Sequence, residues 1–517
     1  MPPADTGAST VRRVDASPAP SLPSSSATSA TALADRPTGD LRQRTDRGAQ
    51  ARTLPTPRQP ERRLPGDDAA RQPRQARPCE GDDARRSRQP LPGDGGGDDA
   101  RQSEQLHPGG PGYRRMSFAL FAAGVATFAL LYCTQALLPA ISADLAVTPD
   151  QASWTVSAAT GALAVAVLPL SALSERFGRR AMMTASLCGA ALVSLAIPFA
   201  PGLGWLIALR AVQGVALAGV PASAMAYLAE EVRPKALVGA IGLFVAGNSI
   251  GGMSGRILTG WVAQLWGWRA ALGTVAAMAV LAALAFRMLI PKARNFTPSP
   301  LSPRAVARTV AGHLSDPLLR RLYAIGALFM TVFGAVYTVI GYRLIDTFHL
   351  PQGVVGSIFL VYLVGTVSSA NAGRLVGRIG RRGALYLAVG TTAAGLLLTL
   401  APSLVAVLLG LVLITAGFFA GHAVASSAVS RIAKTGRAQA SALYQTSYYL
   451  GSSVGGALGA VAFHAMGWSG TVLLGLCAVL GASAITLYGT RAAHSEHRAR
   501  IAHPAGPSLA GIRLTGR

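Results

Sequence analysis

Arg210, Arg256 and His422 each stand inside a long apolar run. A guanidinium is a planar fork of donors that keeps its charge at any physiological pH. In such a place it either receives an anion or satisfies several carbonyls of a neighbouring helix. An imidazole titrates near neutral pH and can carry a proton, or can serve as a hydrogen-bonded structural group. Gln213 follows Arg210 in the string R-A-V-Q-G, and Asn248 shares the apolar run of Arg256. Tyr444, Gln445, Ser447, Tyr448 and Tyr449 open another run. Aromatics with an amide suit the wall of a site for a polar solute; packing at a membrane interface is the alternative. The candidate solute and proton pathway is therefore Arg210, Gln213, Asn248, Arg256, His422, Tyr444, Gln445 and Tyr448. His464 is read as structural.

Other chemistries lack their residues. The cysteines Cys79, Cys133, Cys188 and Cys477 form no C-x-x-C pair and lie near no histidine at ligand spacing. No metal site, disulfide framework or bound cofactor is expected. There is no G-x-x-x-x-G-K loop for ATP and no nucleophile–base pair, so neither an ATP-driven pump nor an enzyme is expected. The formal net charge is +24, but nucleic-acid binders display such charge on a soluble face. Here the basic residues fall in short gaps between apolar runs, which suits loops beside an anionic lipid leaflet. No nucleic-acid partner is expected; membrane lipid and a small solute are.

The elements that must hold these residues are membrane helices. Half of the 517 residues are hydrophobic and 14% are charged, against about 25% charged in soluble domains. A span needs about 20 mainly apolar residues. Candidate spans run over 116–138, 152–174, 181–200, 204–229, 237–264, 269–290, 321–345, 354–376, 383–400, 404–430, 438–465 and 469–490. Their connections alternate between Arg-rich loops (176–180, 230–235, 291–320, 378–382, 431–437) and loops almost without Lys or Arg. By the positive-inside rule both termini are then cytoplasmic. Trp205, Trp266, Trp268 and Trp468 cluster at the opposite side and are expected as interfacial aromatics.

The expected organisation is a disordered low-complexity tail over 1–113, a six-helix bundle over 114–290, a cytoplasmic linker over 291–320, a second six-helix bundle over 321–490 and a cytoplasmic tail over 491–517. Residues 1–113 hold 17 Arg and 15 of the 23 acids, with little that could form a core. They are expected to be dispensable; a docking tail and a translation start upstream of the true one are both open. The two bundles repeat one another. Leu173–Arg180 pairs with Leu375–Arg382, Ala200-Pro201 with Ala401-Pro402, Gly247, Gly251 and Gly255 with Gly451, Gly455 and Gly459, and Gly267-Trp268 with Gly467-Trp468. A repeat of six spans keeps both halves in one orientation, the arrangement in which two bundles rock about a shared cavity.

The loop S-x-L-S-E-R-F-G-R-R over 171–180 resembles the signature between helices 2 and 3 of the major facilitator superfamily. Leu173, Arg176, Gly178, Arg179 and Arg180 match; Ser171 and Glu175 stand where that signature has Gly and Asp. The resemblance implies a cytoplasmic gating loop of Glu175, Arg176, Gly178, Arg179 and Arg180. Its second copy supplies Arg378, Gly380, Arg381 and Arg382, with Gly377 where the acid would stand. Helix 5 resembles the glycine-rich motif of the superfamily's antiporters but lacks the central proline. R-A-V-Q-G resembles the helix-4 motif R-x-x-Q-G. Stretches 121–135, 247–256, 340–344, 416–427 and 447–453 are similar to a bacterial inner-membrane branch near the sugar-efflux and drug:proton antiporters.

The resemblance implies an all-α membrane protein with twelve transmembrane helices in two six-helix pseudo-repeats. It implies a secondary transporter, with efflux by proton antiport through alternating access, acting as a monomer in the bacterial inner membrane. Proton-coupled uptake of a sugar or organic acid, and a non-transporting sensor, are the alternatives. The acids lie at span ends, and the ionisable groups inside the spans are Arg and His. That pattern favours a neutral or anionic polar solute over a lipophilic cation.

Overall fold

The computed structural model describes residues 105–107, 110–298, 302–433 and 435–502, with the backbone alone at 303 and 489–502. The tail expected over 1–113 lies outside the described residues except at 105–107 and 110–113, as does the C-terminal tail beyond 502. Among the described residues the regular structure is helical, apart from one isolated bridge between Leu106 and Val232.

Among the described residues, nine helical stretches are long and apolar enough to cross a membrane. Helices α1 to α4 are Pro111–Leu145, Pro149–Phe177, Arg179–Phe199 and Leu203–Glu231. Pro234–Leu289 is broken at Gly267 (φ 79°) into α5 (234–266) and α6 (268–289). After the first half, α7 is Pro317–Asp346. Gln352–Leu398 is broken at Gly380 (φ 72°) into α8 (352–379) and α9 (381–398). Leu404–Ile432 is α10. Arg437–Ala502 is broken at Gly467 (φ 61°) into α11 (437–466) and α12 (468–502). Nine stretches with three such breaks give twelve spans. Gly178 (φ 96°) separates α2 from α3, so the four turns are Gly178 with Gly380 and Gly267 with Gly467. Each pair occupies matching places in the repeat, where the chain reverses through a left-handed φ that only glycine adopts without strain.

Small residues let the helices approach. A methyl group at Gly247 would lie 2.6 Å from the Phe121 carbonyl oxygen, and one at Gly255 would lie 2.8 Å from the Ala129 Cα. In the second half, a methyl at Gly459 would lie 2.5 Å from the Ala335 Cα. The glycine ridge of α5 thus seats α1, and its copy on α11 seats α7. This is close helix packing through small residues.

The Gly-Trp pairs differ from expectation. Trp205 and Trp266 are exposed, but Trp268 and Trp468 are buried. The Trp268 indole donates to Asp144 Oδ2 at 2.9 Å, and Arg269 pairs with the same oxygen at 2.6 Å. Trp468 donates to Thr399 Oγ1 at 3.1 Å, beneath the Arg343 guanidinium. These indoles brace helix ends at the 5–6 and 11–12 turns. The linker over 291–320 also gains structure: Pro303–Ser315 is a helix, and its His313 bonds the Gly436 carbonyl at the start of α11 (3.1 Å).

Candidate functional site

A cavity of ≈ 620 Å³ lies between the two halves. The first half contributes Tyr132 and Gln135 of α1 and Asn248 and Arg256 of α5. The second contributes Tyr362 and Ser369 of α8, Phe418 and His422 of α10, and Gln445 and Tyr448 of α11. Its deep end is buried: Arg256 is 2% exposed and Gln135 4%. Toward the arginine-rich loops the lining opens, and Val238 there is 81% exposed.

Below Arg256, toward the tryptophan-bearing face, the halves are sealed. Gln135 Nε2 donates to Thr338 Oγ1 (3.3 Å), Ser453 Oγ to the Ser157 carbonyl (2.7 Å) and Trp261 Nε1 to Ser357 Oγ (2.9 Å). Ser142 Oγ and the Tyr342 hydroxyl are 2.6 Å apart. Gly260 of α5 meets Gly356 of α8 so closely that a methyl on Gly260 would lie 2.8 Å from the Gly356 Cα. Asp150 and His464, at the ends of α2 and α11 on this face, are 3.9 Å apart. His464 thus sits at the seam between the halves on this face.

Arg256 forms the floor of the cavity. Its Nε donates to Gln135 Oε1 at 2.8 Å, and Nη1 donates to the Gly252 carbonyl. The guanidinium carbon lies 4.5, 4.7 and 5.0 Å from the ring centres of Tyr132, Phe359 and Tyr362. Ring faces stabilise a cation without neutralising it. Among the described residues no carboxylate pairs with Arg256, and Nη2 has no hydrogen-bond partner.

His422 is on the cavity wall. Its Nδ1 lies 3.0 Å from the Tyr444 hydroxyl, and its ring centre lies 4.7 Å from that of Tyr448. Tyr444 stands behind the histidine, packed on Gly326, and is not a wall residue. Asn248, Gln445 and Tyr448 are wall residues.

Arg210 and Gln213 are placed elsewhere. Arg210 is fully buried, with Nε on the Thr155 carbonyl (2.9 Å), Nη1 on the Leu130 carbonyl (2.6 Å) and Nη2 on the Leu131 carbonyl. Helix α1 breaks just after Tyr132, and the guanidinium takes up carbonyls at that break. Gln213 accepts from Arg210 and donates to Ser194 Oγ at 2.6 Å. The pair ties α4 to α1, α2 and α3 and is absent from the cavity wall. It therefore leaves the pathway set.

The loop between α2 and α3, expected to gate around Glu175, is ordered around a different acid. Arg179 Nε pairs with Glu230 Oε1 at 3.1 Å, and Arg179 Nη1 donates to Ser174 Oγ at 2.7 Å. Glu175 makes no ion pair among the described residues, because the neighbouring end of α4 offers its carboxylate to the arginine instead. Arg176 lies over Phe177, and Arg180 faces the segment after α6. Arg378, Gly380, Arg381 and Arg382 form the matching turn between α8 and α9. Next to Glu230, the buried Glu231 receives the backbone N–H groups of Arg294 and Asn295, both at 2.8 Å. The Leu106 N–H donates to the Glu231 carbonyl at 2.8 Å.

Sequence reasoning missed Gln135, Tyr362 and Glu230. Gln135 is an amide inside an apolar run, the signal that drew attention to Gln213 and Gln445. Glu230 stood among the basic loops as an ordinary span-end acid. Nothing local distinguishes Tyr362 from a packing aromatic.

The Major Facilitator Superfamily model matches residues 118–456 and 322–514. The chain is 40% identical over 365 residues to the uncharacterized MFS-type transporter YybF of Bacillus subtilis, covering 70% of this chain and 90% of that one. It is 40% identical over 363 residues to the inner membrane transport protein YnfM of Escherichia coli, covering 70% and 87%. Among solved structures, a bacterial homolog of the human lysosomal transporter Spinster, inward-facing and unoccupied, superposes with a TM-score of 0.61 at 14% identity, covering 74% of this chain and 97% of that one. With twelve spans in two repeated halves around one cavity, the chain is a multi-pass membrane protein that belongs to the Major Facilitator Superfamily of secondary transporters.

Proposed function

We propose that the chain exports a small polar solute, neutral or anionic, by exchange with protons through alternating access. One observation carries the reading: a cavity walled by both halves, open toward the basic loops and closed by direct contacts on the tryptophan-bearing face. With basic loops on the cytoplasmic side, this is the state that loads from the cytoplasm, and both termini lie there. Rocking of the halves then breaks the contacts around Ser453, Trp261 and Gly356 and opens the other side.

Arg256 and Gln135 hold the solute at the floor, Asn248, Gln445 and Tyr448 line its passage, and His422 with Tyr444 behind it carries the proton. The Arg179–Glu230 pair steadies the 2–3 turn as the basic face closes. The ion gradient drives the cycle without a bound cofactor, and the monomer in a bacterial inner membrane suffices, since the cavity is complete within one chain. Likeness to the antiporter branch supports exchange over uptake.

The test is proton movement in proteoliposomes loaded with a pH-sensitive dye, across a panel of sugars, organic acids and dyes. The expected result is a proton flux elicited by members of one solute class and absent from protein-free liposomes. A chain that moves solute without protons refutes antiport, and one that moves no member of the panel refutes the transport of small polar solutes.

A further inference from the structure

Among the described residues lining the cavity, Arg256 is the sole Lys or Arg, and no Asp or Glu is present. Its charge therefore faces the space without a counterion. Two contacts hold the guanidinium in place, through Gln135 and Gly252, and three rings surround it. Nη2 is left without a partner. The Tyr362 ring stands beside this guanidinium, and its hydroxyl is buried and likewise unpartnered, as is Gln445 Oε1 in the wall. Buried polar groups normally have partners. Above the floor the wall is apolar and aromatic, with Phe333, Phe418 and Phe419 packed together; the Phe333 and Phe418 ring centres are 4.0 Å apart.

From this geometry we infer that the solute is an organic monoanion, a carboxylate joined to an apolar ring or chain. This rests on the transport reading above and names its substrate class. The carboxylate accepts from Arg256 Nη2 and from the Tyr362 hydroxyl, the first a charge-assisted hydrogen bond. The apolar body lies against Phe418 and Phe419. A single fixed cation matches a single negative charge; a dianion would leave one charge unpaired in an apolar wall, and a cation would be repelled. The space is ample for a benzoate-sized or medium-chain acid.

The test is calorimetric titration of the purified full-length protein at about pH 7, where such acids are ionised. Benzoate, 4-hydroxybenzoate and octanoate are each compared with the corresponding neutral amide and cationic amine. At least one carboxylate is expected to bind at least about tenfold more tightly than its amide, with the amine weaker still. Arg256→Gln should bring carboxylate and amide to the same affinity. The wild-type series decides the charge class even if that variant fails to fold. Amides or amines that bind as tightly as every carboxylate overturn the inference, as does the absence of carboxylate binding. Carboxylates that bind yet elicit no proton flux in liposomes refute the transport reading and leave the anion site standing.

Discussion

Replacing Arg210 separates an architectural guanidinium from one that takes part in transport. Its fork reaches three carbonyls, of Thr155, Leu130 and Leu131. A hydrogen bond to a charged group contributes about 1.5–3 kcal/mol. Simple addition overstates the loss, because freed carbonyls find some water and the buried charge disappears as well. Breaking such buried networks costs about 3–5 kcal/mol. In a chain of this size each kcal/mol moves the unfolding midpoint by roughly 1–2 °C. Arg210→Ala should therefore lower the midpoint in detergent by roughly 3–10 °C. Arg210→Lys should rescue less than half, because one ammonium cannot serve three separated carbonyls. The assay is thermal unfolding followed by thiol labelling of the buried Cys133. In protein that remains folded, proton-coupled transport should keep its pH profile. A midpoint within about 1 °C of wild type, or a changed pH profile in the folded fraction, would refute the architectural role.

Gly251→Leu and Gly455→Leu should each block the seating of α5 on α1 and of α11 on α7, with large losses of folded protein on size-exclusion chromatography; normal yields would show that the ridges tolerate bulk. Glu230→Gln should increase labelling of a cysteine at Ser369 from the basic side by loosening the Arg179 pair, whereas Glu175→Gln should change little. Equal effects from both variants would return the latch to Glu175. His422→Gln should leave insertion intact and flatten the pH dependence of transport, and an unchanged pH profile would remove His422 as the proton carrier.

Much of the fold was legible because lipid enforces it. Backbone groups in a bilayer must bond within a helix, so length and apolarity locate spans. Repeated Gly178/Gly380 and Gly267/Gly467 marked turns whose left-handed φ values the structure then displays. Side-chain destinations were less legible. Arg210 and Arg256 look alike in sequence, each a lone charge in an apolar run. One faces carbonyls at the break in α1 and the other faces the cavity, and only the helix packing decides which. The span-end positions of Trp268 and Trp468 point to interfacial aromatics, but Asp144 and Thr399 draw their indoles inward. Glu230 and Glu175 are separated by a long stretch of sequence, so the choice of partner for Arg179 was invisible until α4 was placed beside the 2–3 turn.

Alternating access about the central cavity is tested most directly by holding the tryptophan-bearing face shut. Asp150 and His464 lie opposite one another there, 3.9 Å apart, on helices of different halves. In a background lacking the native cysteines, Asp150→Cys with His464→Cys can be bridged by a short bis-methanethiosulfonate reagent. Bridged protein should lose solute-elicited proton flux and regain it on reduction, while either single-cysteine variant treated the same way stays active. Undiminished flux through the bridged protein would contradict a cycle in which that face must open.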